Sequence, residues 1–467
     1  MKAIAKDLFR ILPRSAVLQA PEDLLAYAAD ATADLFSRSP DAVVLPRSTD
    51  DVAAVLCYAA SRKVPVTPRG AGSGLAGGAT PVEGGIVLDM KRMNRVMAVN
   101  RGNMTAQAEA GVVLENFKRL IAKENLFYPP DPQSAAVCTL GGNVATRAGG
   151  PRGVKYGTTV HYVLGLTTVL PDGEVVKTGG SCVKQSVGYD LTHLFTGSEG
   201  TLGVITEVTL RLLPLPPAHA TAVAVARTSE DAASMVSEII ARGTVPAMLE
   251  YLTLMAAATM NPTLKIPLPL TGEAYLLMDI DGTAAQVAAD CALLSDLCRE
   301  KGALEVRIVE DPVEAAAYWK ARASLYPLIL TMAKKAIIED VTVPRDRLPE
   351  FVRKIGELSA KMGVLIGMAG HAGDGNMHPS VLFGEVNEKT MQDARFAVRE
   401  IVRAGLALGG TISGEHGVGL HKAEFIEEEM GSAQIALMKR VKAAFDPLGI
   451  MNPGKIWPAA GVDHAKP

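Results

Sequence analysis

Hydrophobic patterning divides the chain into a strand-rich first half and a second half with long helices. In the first half, Ser48 to Asp51 is typical of a helix N-cap, and the apolar spacing after it predicts a helix over 52–60. A second helix is predicted over 114–123. Short apolar or alternating runs predict strands over 64–67, 86–90, 96–99, 105–110, 162–170, 174–177 and 204–212. Because Pro171-Asp172-Gly173 separates two of them, we expect a hairpin there.

The proline-rich run Leu213–Pro217 marks a change of pattern, and we place a domain boundary near residue 217. Beyond it, strands and helices alternate, which predicts an α+β domain with an open antiparallel sheet and helices on one face. The predicted strands are 221–226, 273–281 and 304–309, and the predicted helices are 229–242, 284–300 and 313–323. The predicted organisation is a helical lead-in over 1–40, one domain over 41–217 and another over 218–467.

Composition narrows the function classes. The chain has 467 residues and a net charge of −3, which argues against a nucleic-acid-binding protein. No apolar run reaches the roughly 18 residues of a membrane-spanning helix, and the N-terminus lacks a secretory signal pattern. Its five cysteines form no close pair, which argues against a disulfide scaffold or a CxxC metal site and fits a reducing cytosol.

Three glycine clusters stand out, and each suggests close approach of backbone to a ligand or a positive φ. The first cluster is Arg69–Gly78, the second is Pro129–Gly157, and the third is Gly197–Gly203. Successive N–H groups in the first cluster, beside Arg69, would suit a pyrophosphate. Its pattern matches neither a Rossmann fingerprint nor a P-loop, and alone it could also be a flexible surface loop. Three clusters together favour a large, dinucleotide-like ligand.

A group of histidines indicates a metal site in the second half. His371 and His378 flank Gly373-Asp374-Gly375, a turn signal that can fold the two imidazoles together. Glu415 adds a carboxylate between Gly414 and His416. Two histidines and one carboxylate are a ligand set typical of catalytic Zn²⁺, with Mn²⁺ or Fe²⁺ as alternatives.

The glycine clusters resemble the FAD-binding segments of the FAD-linked oxidases with a PCMH-type FAD-binding domain. The chain is most similar to the glycolate oxidase flavin subunits, D-lactate dehydrogenases and D-2-hydroxyglutarate dehydrogenases of that family, from about residue 20 to 457. The resemblance implies a two-subdomain FAD-binding domain, a ferredoxin-like antiparallel-sheet substrate domain and a C-terminal helical segment, with 447–457 returning to the flavin. It assigns FAD contacts to the following residues: Arg69, Gly70, Ala71, Gly72, Ser73, Gly74, Gly77, Gly78, Pro130, Asp131, Thr139, Gly142, Asn143, Gly149, Tyr156, Gly157, Glu199, Gly203, Val204, Ile205 and Asn452. The first cluster has no histidine for covalent attachment, so we expect non-covalent FAD.

The same resemblance assigns roles in the second half. It makes His371, His378 and Glu415 the divalent-metal ligands, His416 the catalytic base and Arg322 the residue that binds the substrate carboxylate. Some relatives carry a threonine and a lysine where this chain has Tyr326 and Ile338. That difference weakens the case for a dicarboxylate such as 2-hydroxyglutarate. We therefore expect oxidation of a small D-2-hydroxy acid, D-lactate or glycolate, to the 2-oxo acid.

Other expectations stay open at this point. The alternatives are a D-2-hydroxyglutarate dehydrogenase, a flavin-free metal-dependent hydrolase using the histidine group, and a non-redox transferase of the same fold. The family resemblance implies an iron–sulfur or quinone-linked electron acceptor. The expected location is cytoplasmic or peripheral to the inner face of the membrane, and a homodimer is a further expectation.

Overall fold

The computed structural model describes residues 2–32 and 35–457, so the last part of the predicted C-terminal domain, 458–467, lies outside the described residues. The chain forms two compact units. The first unit comprises Met1–Ala148, Thr158–Leu215 and Glu415–Pro467. The second comprises Gly149–Gly157 and Pro216–Gly414. The short segment 149–157 thus belongs to the second unit, and the chain after Gly414 belongs to the first.

The helices and strands are numbered in chain order. The helices are α1 Lys2–Leu8, α2 Pro21–Leu25, α3 Thr49–Arg62, α4 Leu114–Ala122, α5 Leu140–Thr146, α6 Gly153–Tyr156, α7 Leu191–Phe195, α8 Ser229–Ala241, α9 Leu254–Met260, α10 Ala284–Glu300, α11 Pro312–Ala323, α12 Leu325–Met332, α13 Leu348–Met362, α14 Glu388–Ala407 and α15 Ile426–Phe445. The strands are β1 Val17–Leu18, β2 Ala42–Val44, β3 Val66–Arg69, β4 Ile86–Asp89, β5 Val96–Asn100, β6 Thr105–Glu109, β7 Leu126–Phe127, β8 Val163–Val169, β9 Val175–Gly179, β10 Val204–Arg211, β11 Leu213–Pro214, β12 Ala218–Ala226, β13 Met248–Thr253, β14 Ala274–Gly282, β15 Glu305–Val309, β16 Lys335–Ile338, β17 Val341–Thr342, β18 Leu365–His371 and β19 Asn376–Phe383.

The first unit contains two main sheets. One has the order β1-β2-β4-β3, in which β2, β4 and β3 are parallel. The other is antiparallel with the order β5-β6-β10-β8-β9. The predicted hairpin is confirmed, because β8 pairs with β9 in antiparallel register. Two sheets match the two-subdomain arrangement expected from the resemblance.

Helices α1 and α3 pack on the parallel sheet and build its core. Ser48 accepts a hydrogen bond from the Asp51 N–H and so caps α3, as its sequence predicts. Leu8 of α1 and Leu56 of α3 are fully buried with Ile86 and Met451 in one hydrophobic cluster. The N-terminal lead-in therefore contributes to the core of the first unit. Burial of such aliphatic side chains contributes about 1.5–3 kcal/mol each.

The second unit is built on one antiparallel sheet of order β15-β12-β14-β13-β18-β19-β16, with β17 paired to β19. The expected antiparallel α+β domain is therefore confirmed. The turn predicted at Gly373-Asp374-Gly375 is also confirmed, since it joins β18 to β19 and Gly375 has φ +86°. Strands β13, β18 and β19 were not predicted. They are almost continuously buried, so they lack the alternation that marks a half-exposed strand.

Candidate functional site

The first glycine cluster begins where β3 ends, at Arg69. The Arg69 side chain turns inward, donates from Nη1 to the Ala29 carbonyl at 2.7 Å and lies 5.4 Å from the centre of the Tyr27 ring. Burial lowers the pKa of Arg69, while the carboxylates of Asp30 and Asp89 oppose that shift. Gly72 has φ +70° and packs against the Arg69 guanidinium. The first cluster is therefore a loop that packs against the buried guanidinium of Arg69.

The glycines of this loop fall into two classes when a Cβ atom is placed on each. At Gly77, which has φ +76°, it would lie 3.1 Å from Leu420, so packing and backbone conformation both call for glycine. At Gly74 and Gly78 it would meet no atom closer than 3.8 Å and 3.7 Å, and neither residue has a positive φ. Packing within the protein does not account for these two glycines. Their open backbone fits a surface on which FAD would lie.

The second cluster is joined to the first. Thr139 caps α5, and its Oγ1 accepts from the Gly142 N–H at 3.3 Å. A Cβ on Gly70 would collide with that same hydroxyl, so Gly70 and Thr139 are in close contact. Asn143, one residue after Gly142, is buried in α5. Of the earlier part of the cluster, Pro130 is buried, and Asp131 pairs with Lys118.

Asn452 joins the first cluster to the third. Its amide Nδ2 donates to the Gly78 carbonyl at 2.9 Å and to the Glu199 carbonyl at 2.7 Å. Asn452 is buried with φ +41°, and its Oδ1 has no hydrogen-bond partner among the described residues. The neighbouring Lys455 is also buried and donates to the Thr80 carbonyl at 2.7 Å. Burial lowers the pKa of Lys455 to about 8.

The segment that carries His416 is anchored to these same loops. The Glu199 carboxylate accepts from the Val418 N–H at 2.9 Å and the Gly419 N–H at 2.8 Å. The Leu420 N–H donates to the carbonyl of Ala76, in the first cluster, at 2.7 Å. Burial raises the pKa of Glu199, although these two N–H groups oppose the shift. Within the first unit, His416 thus lies two residues before Val418, whose N–H binds Glu199 of the third cluster.

The other predicted FAD contacts are distributed between the two units. Ala71 and Ser73 lie within the first-cluster loop, and Gly203 precedes β10, which begins with the buried Val204 and Ile205. Gly149, Tyr156 and Gly157 belong to the second unit. There the Tyr156 hydroxyl donates to Asp281 at 2.7 Å.

In the second unit, the two predicted histidine ligands are brought together as the turn signal suggested. Their ring centres are 5.1 Å apart at an angle of 82°. Nδ1 of His371 contacts Glu250 Oε1 at 2.6 Å, and Nδ1 of His378 contacts the Glu339 carbonyl at 3.2 Å. Metal-binding histidines commonly direct one ring nitrogen to such a protein acceptor and coordinate through the other. These two side chains therefore fit a divalent metal, which they would bind through Nε2.

The predicted substrate residue Arg322 shares a carboxylate with His371. Arg322 Nη2 lies 2.6 Å from Glu250 Oε2, and both side chains are buried. Burial alone would raise the pKa of Glu250, but the charges of Arg322 and His371 outweigh it and lower the pKa. The carboxylate therefore remains ionised in this cluster. Glu415 and His416 lie in the first unit, where Glu415 Oε1 is 3.9 Å from His416 Nε2.

Sequence reasoning missed Glu250 and gave Lys455 no role of its own. The sequence did contain a signal for Glu250, because it is a single acidic residue within the apolar run Met248–Thr253. A buried acid in a strand requires a partner. The partners, Arg322 and His371, are distant in sequence, so only the fold identifies them.

Comparison with known proteins shows the family to which the chain belongs. Residues 215–456 match the family model for the C-terminal domain of FAD linked oxidases, and residues 40–179 match an FAD binding domain. The chain is 41% identical to the glycolate oxidase subunit GlcD of Bacillus subtilis over 93% of this chain and 92% of that protein. It is 37% identical to a D-lactate dehydrogenase of Archaeoglobus fulgidus, over 89% of this chain and 90% of the other.

Solved structures show the same fold at low identity. p-Cresol methylhydroxylase superposes with a TM-score of 0.80 at 18% identity, covering 99% of this chain and 98% of that one. An alkyldihydroxyacetonephosphate synthase gives a TM-score of 0.76 at 19% identity, over 97% and 84%. The family models span both halves of the chain, and the glycine clusters form one connected set of loops. The chain therefore belongs to the FAD-linked oxidases and is a flavin-dependent oxidoreductase.

Proposed function

We propose that this protein oxidises a small D-2-hydroxy acid to the corresponding 2-oxo acid, with D-lactate as the first candidate and glycolate as the second. The names of the glycolate oxidase and D-lactate dehydrogenase relatives support this class of substrate. The observation that carries the proposal is the anchoring of the His416 segment to the cofactor loops through Glu199 and Ala76.

FAD would be held by the three glycine clusters and Asn452, through the open backbone at Gly74 and Gly78. Bound FAD supplies the two-electron acceptor that amino-acid side chains lack. The protein's own part is to hold the loops in a fixed arrangement, so that FAD binds in one position. The backbone contacts of Asn452 fix the first cluster relative to the third, so that one extended ligand can lie along both.

His416 would take the proton of the substrate hydroxyl on its imidazole. General-base catalysis by a positioned imidazole typically contributes about 10²–10⁴-fold in rate. The two N–H bonds to Glu199 hold the backbone that follows His416, so the imidazole is carried on a fixed segment.

Arg322 would bind the substrate carboxylate. A guanidinium has several N–H donors in a rigid planar fork, so contact with Glu250 through Nη2 is compatible with a second carboxylate. The substitutions Tyr326 and Ile338 provide no additional cation, which supports a monocarboxylate over a dicarboxylate. D-2-hydroxyglutarate is therefore the alternative substrate within the family, behind D-lactate and glycolate.

Metal binding by His371, His378 and Glu415 stays a prediction. The paired imidazoles, each with Nδ1 on a protein acceptor, support it. A divalent cation supplies Lewis-acid activation of a hydroxyl group when bound. Zn²⁺ is the first candidate, with Mn²⁺ and Fe²⁺ as alternatives. Elemental analysis of the purified protein tests it, and about one equivalent of one of these metals is expected.

Electrons would leave to a separate acceptor, such as an iron–sulfur subunit or a quinone-linked protein. The described cysteines are all free and form no cluster motif, so the chain itself offers no iron–sulfur relay. No helix among the described residues is long and apolar enough to cross a membrane.

Dye-linked turnover tests the function directly. The flavin-loaded protein should reduce an artificial acceptor with D-lactate or glycolate much faster than with L-lactate or D-2-hydroxyglutarate. His416→Asn should keep bound FAD and lose about 10²–10⁴-fold in turnover. Equal turnover by wild type and His416→Asn would contradict the role of His416. Absence of turnover with every 2-hydroxy acid would favour the transferase alternative.

A further inference from the structure

We infer that Glu250 is a positioning residue that fixes Arg322 and His371 relative to each other. This inference rests on the proposed function, in which these side chains bind the substrate carboxylate and a metal. Glu250 is completely buried in the middle of β13. Each of its carboxylate oxygens contacts one of the two groups, both at 2.6 Å.

The sheet register explains the contact between Glu250 and His371. Strands β13 and β18 pair Leu252 with Ala369 and Tyr251 with Gly370, which brings Glu250 opposite His371. Directly opposed side chains of an antiparallel pair lie on the same face of the sheet. Arg322 reaches that face from α11, where it is buried near the C-terminal end of the helix.

The chemistry of a carboxylate explains why the residue is glutamate. An ionised carboxylate only accepts hydrogen bonds, so it can receive a guanidinium on one oxygen and an imidazole N–H on the other. Contact through Nδ1 fixes the tautomer of His371 and directs Nε2 toward coordination. An amide at this position has only one acceptor oxygen, so its NH2 group would meet His371 as a donor to Nδ1, which places the imidazole proton on Nε2 and removes the lone pair needed for coordination.

The test compares Glu250→Gln with a matched control in the same unit. Glu314 also accepts from an arginine, Arg307 at 2.6 Å, and from the Tyr318 hydroxyl at 2.8 Å, but it contacts neither Arg322 nor His371. Two quantities are measured for each variant: the affinity of the chelator-treated protein for Zn²⁺, by competition with a chromophoric chelator, and KM for D-lactate.

Glu250→Gln should weaken Zn²⁺ binding about 10- to 100-fold, the usual effect of removing an outer partner of a metal-bound histidine. It should also raise KM about tenfold or more, because Arg322 loses a charged partner. Glu314→Gln should leave both quantities within about twofold of wild type. A folded Glu250→Gln protein with unchanged Zn²⁺ affinity and unchanged KM would overturn the inference.

A second pair of variants covers the case in which Glu250→Gln does not fold. Arg322→Met and Glu250→Gln/Arg322→Met are compared, because the double variant leaves no buried arginine without its carboxylate. The double variant should bind Zn²⁺ about 10- to 100-fold more weakly than Arg322→Met. Equal affinities would overturn the inference.

Failure of the proposed function is separable from failure of this inference. If wild type binds no Zn²⁺, the metal prediction fails, and the KM comparison alone decides the role of Glu250. If wild type turns over no 2-hydroxy acid, the proposed function fails, and the Zn²⁺ comparison decides it. Failure of wild type in both measurements would overturn both proposals.

Discussion

At the scale of single residues, carboxylates hold the proposed functional side chains in each of the two units. Glu199 binds two backbone N–H groups next to His416, and Glu250 binds Arg322 and His371. A carboxylate removed from water is costly unless it is hydrogen-bonded or paired with a cation, so each of these residues depends on its partners being in place. Each therefore fixes the position of a proposed functional group within its own unit.

The buried Lys455 leads to a prediction about how the stability of the fold depends on pH. Burial lowers its pKa to about 8, while the unfolded chain retains a lysine near the ordinary value of about 10.4. Below about pH 8 the lysine is charged in both states, and the folded state bears the desolvation cost. Between about pH 8 and 10 the folded protein has lost a proton that the unfolded chain still holds. The contribution of Lys455 to stability therefore rises with pH over this window.

Thermal unfolding of the cofactor-free protein between pH 7 and 10 measures this contribution. Lys455→Met should remove this pH-dependent contribution. The unfolding free energy of the variant minus that of wild type should therefore fall by up to about 3 kcal/mol between about pH 8 and 10. Lys439, whose Nζ lies 5.9 Å from the Trp457 ring, provides the control Lys439→Met. A pH-independent difference between Lys455→Met and wild type would contradict the assigned pKa.

At the scale of elements, the glycine-rich loops of the first unit are joined by side chains that cap or bridge them. Thr139 caps α5 and contacts Gly70, while Asn452 joins Gly78 to Glu199. The glycines of the first cluster differ in purpose. Gly72 and Gly77 satisfy backbone geometry, whereas Gly74 and Gly78 leave room above the loop.

The substitution Gly78→Ala separates these purposes. The added methyl group meets no protein atom closer than 3.7 Å, so the melting temperature of the cofactor-free protein should stay within about 2 °C of wild type. FAD affinity, followed by flavin fluorescence, should fall about tenfold or more because the methyl group occupies the cofactor surface. As a control, Gly77→Ala should lower the melting temperature, since strain at positive φ costs about 1–2 kcal/mol. Unchanged FAD affinity in Gly78→Ala would exclude this face as the cofactor surface.

Elements with a local signal could be predicted from the sequence, and burial on both faces did not by itself prevent this, since β14 is as buried as β13 and was predicted over 273–281. The β8–β9 hairpin and helix α10 follow from local patterns. Strand β13 is apolar apart from Glu250 and shows no alternation. Helix α5 was missed because its Leu-Gly-Gly start resembles a loop, and its cap, Thr139, is evident only once the chain is folded. The turn between His371 and His378 was predictable, because glycine there needs a positive φ.

At the scale of the whole molecule, the chain passes between its units more than once. Residues 149–157 pack in the second unit although the chain on both sides belongs to the first, and the segment from Glu415 onward returns to the first. A linear division at residue 217 cannot represent such crossings, because hydrophobic patterns report local structure and not which core a segment joins. The predicted FAD and metal residues are consequently contributed by segments far apart in sequence.

Anaerobic mixing tests whether the flavin of this protein accepts electrons from a small D-2-hydroxy acid. The FAD-loaded protein is combined with D-lactate or glycolate without any other acceptor, and flavin absorbance at about 450 nm is followed. We expect the absorbance to bleach with one of these acids, with one 2-oxo acid formed per flavin, and to stay unchanged with L-lactate. Retention of the full flavin absorbance with both D-lactate and glycolate would contradict the proposed function.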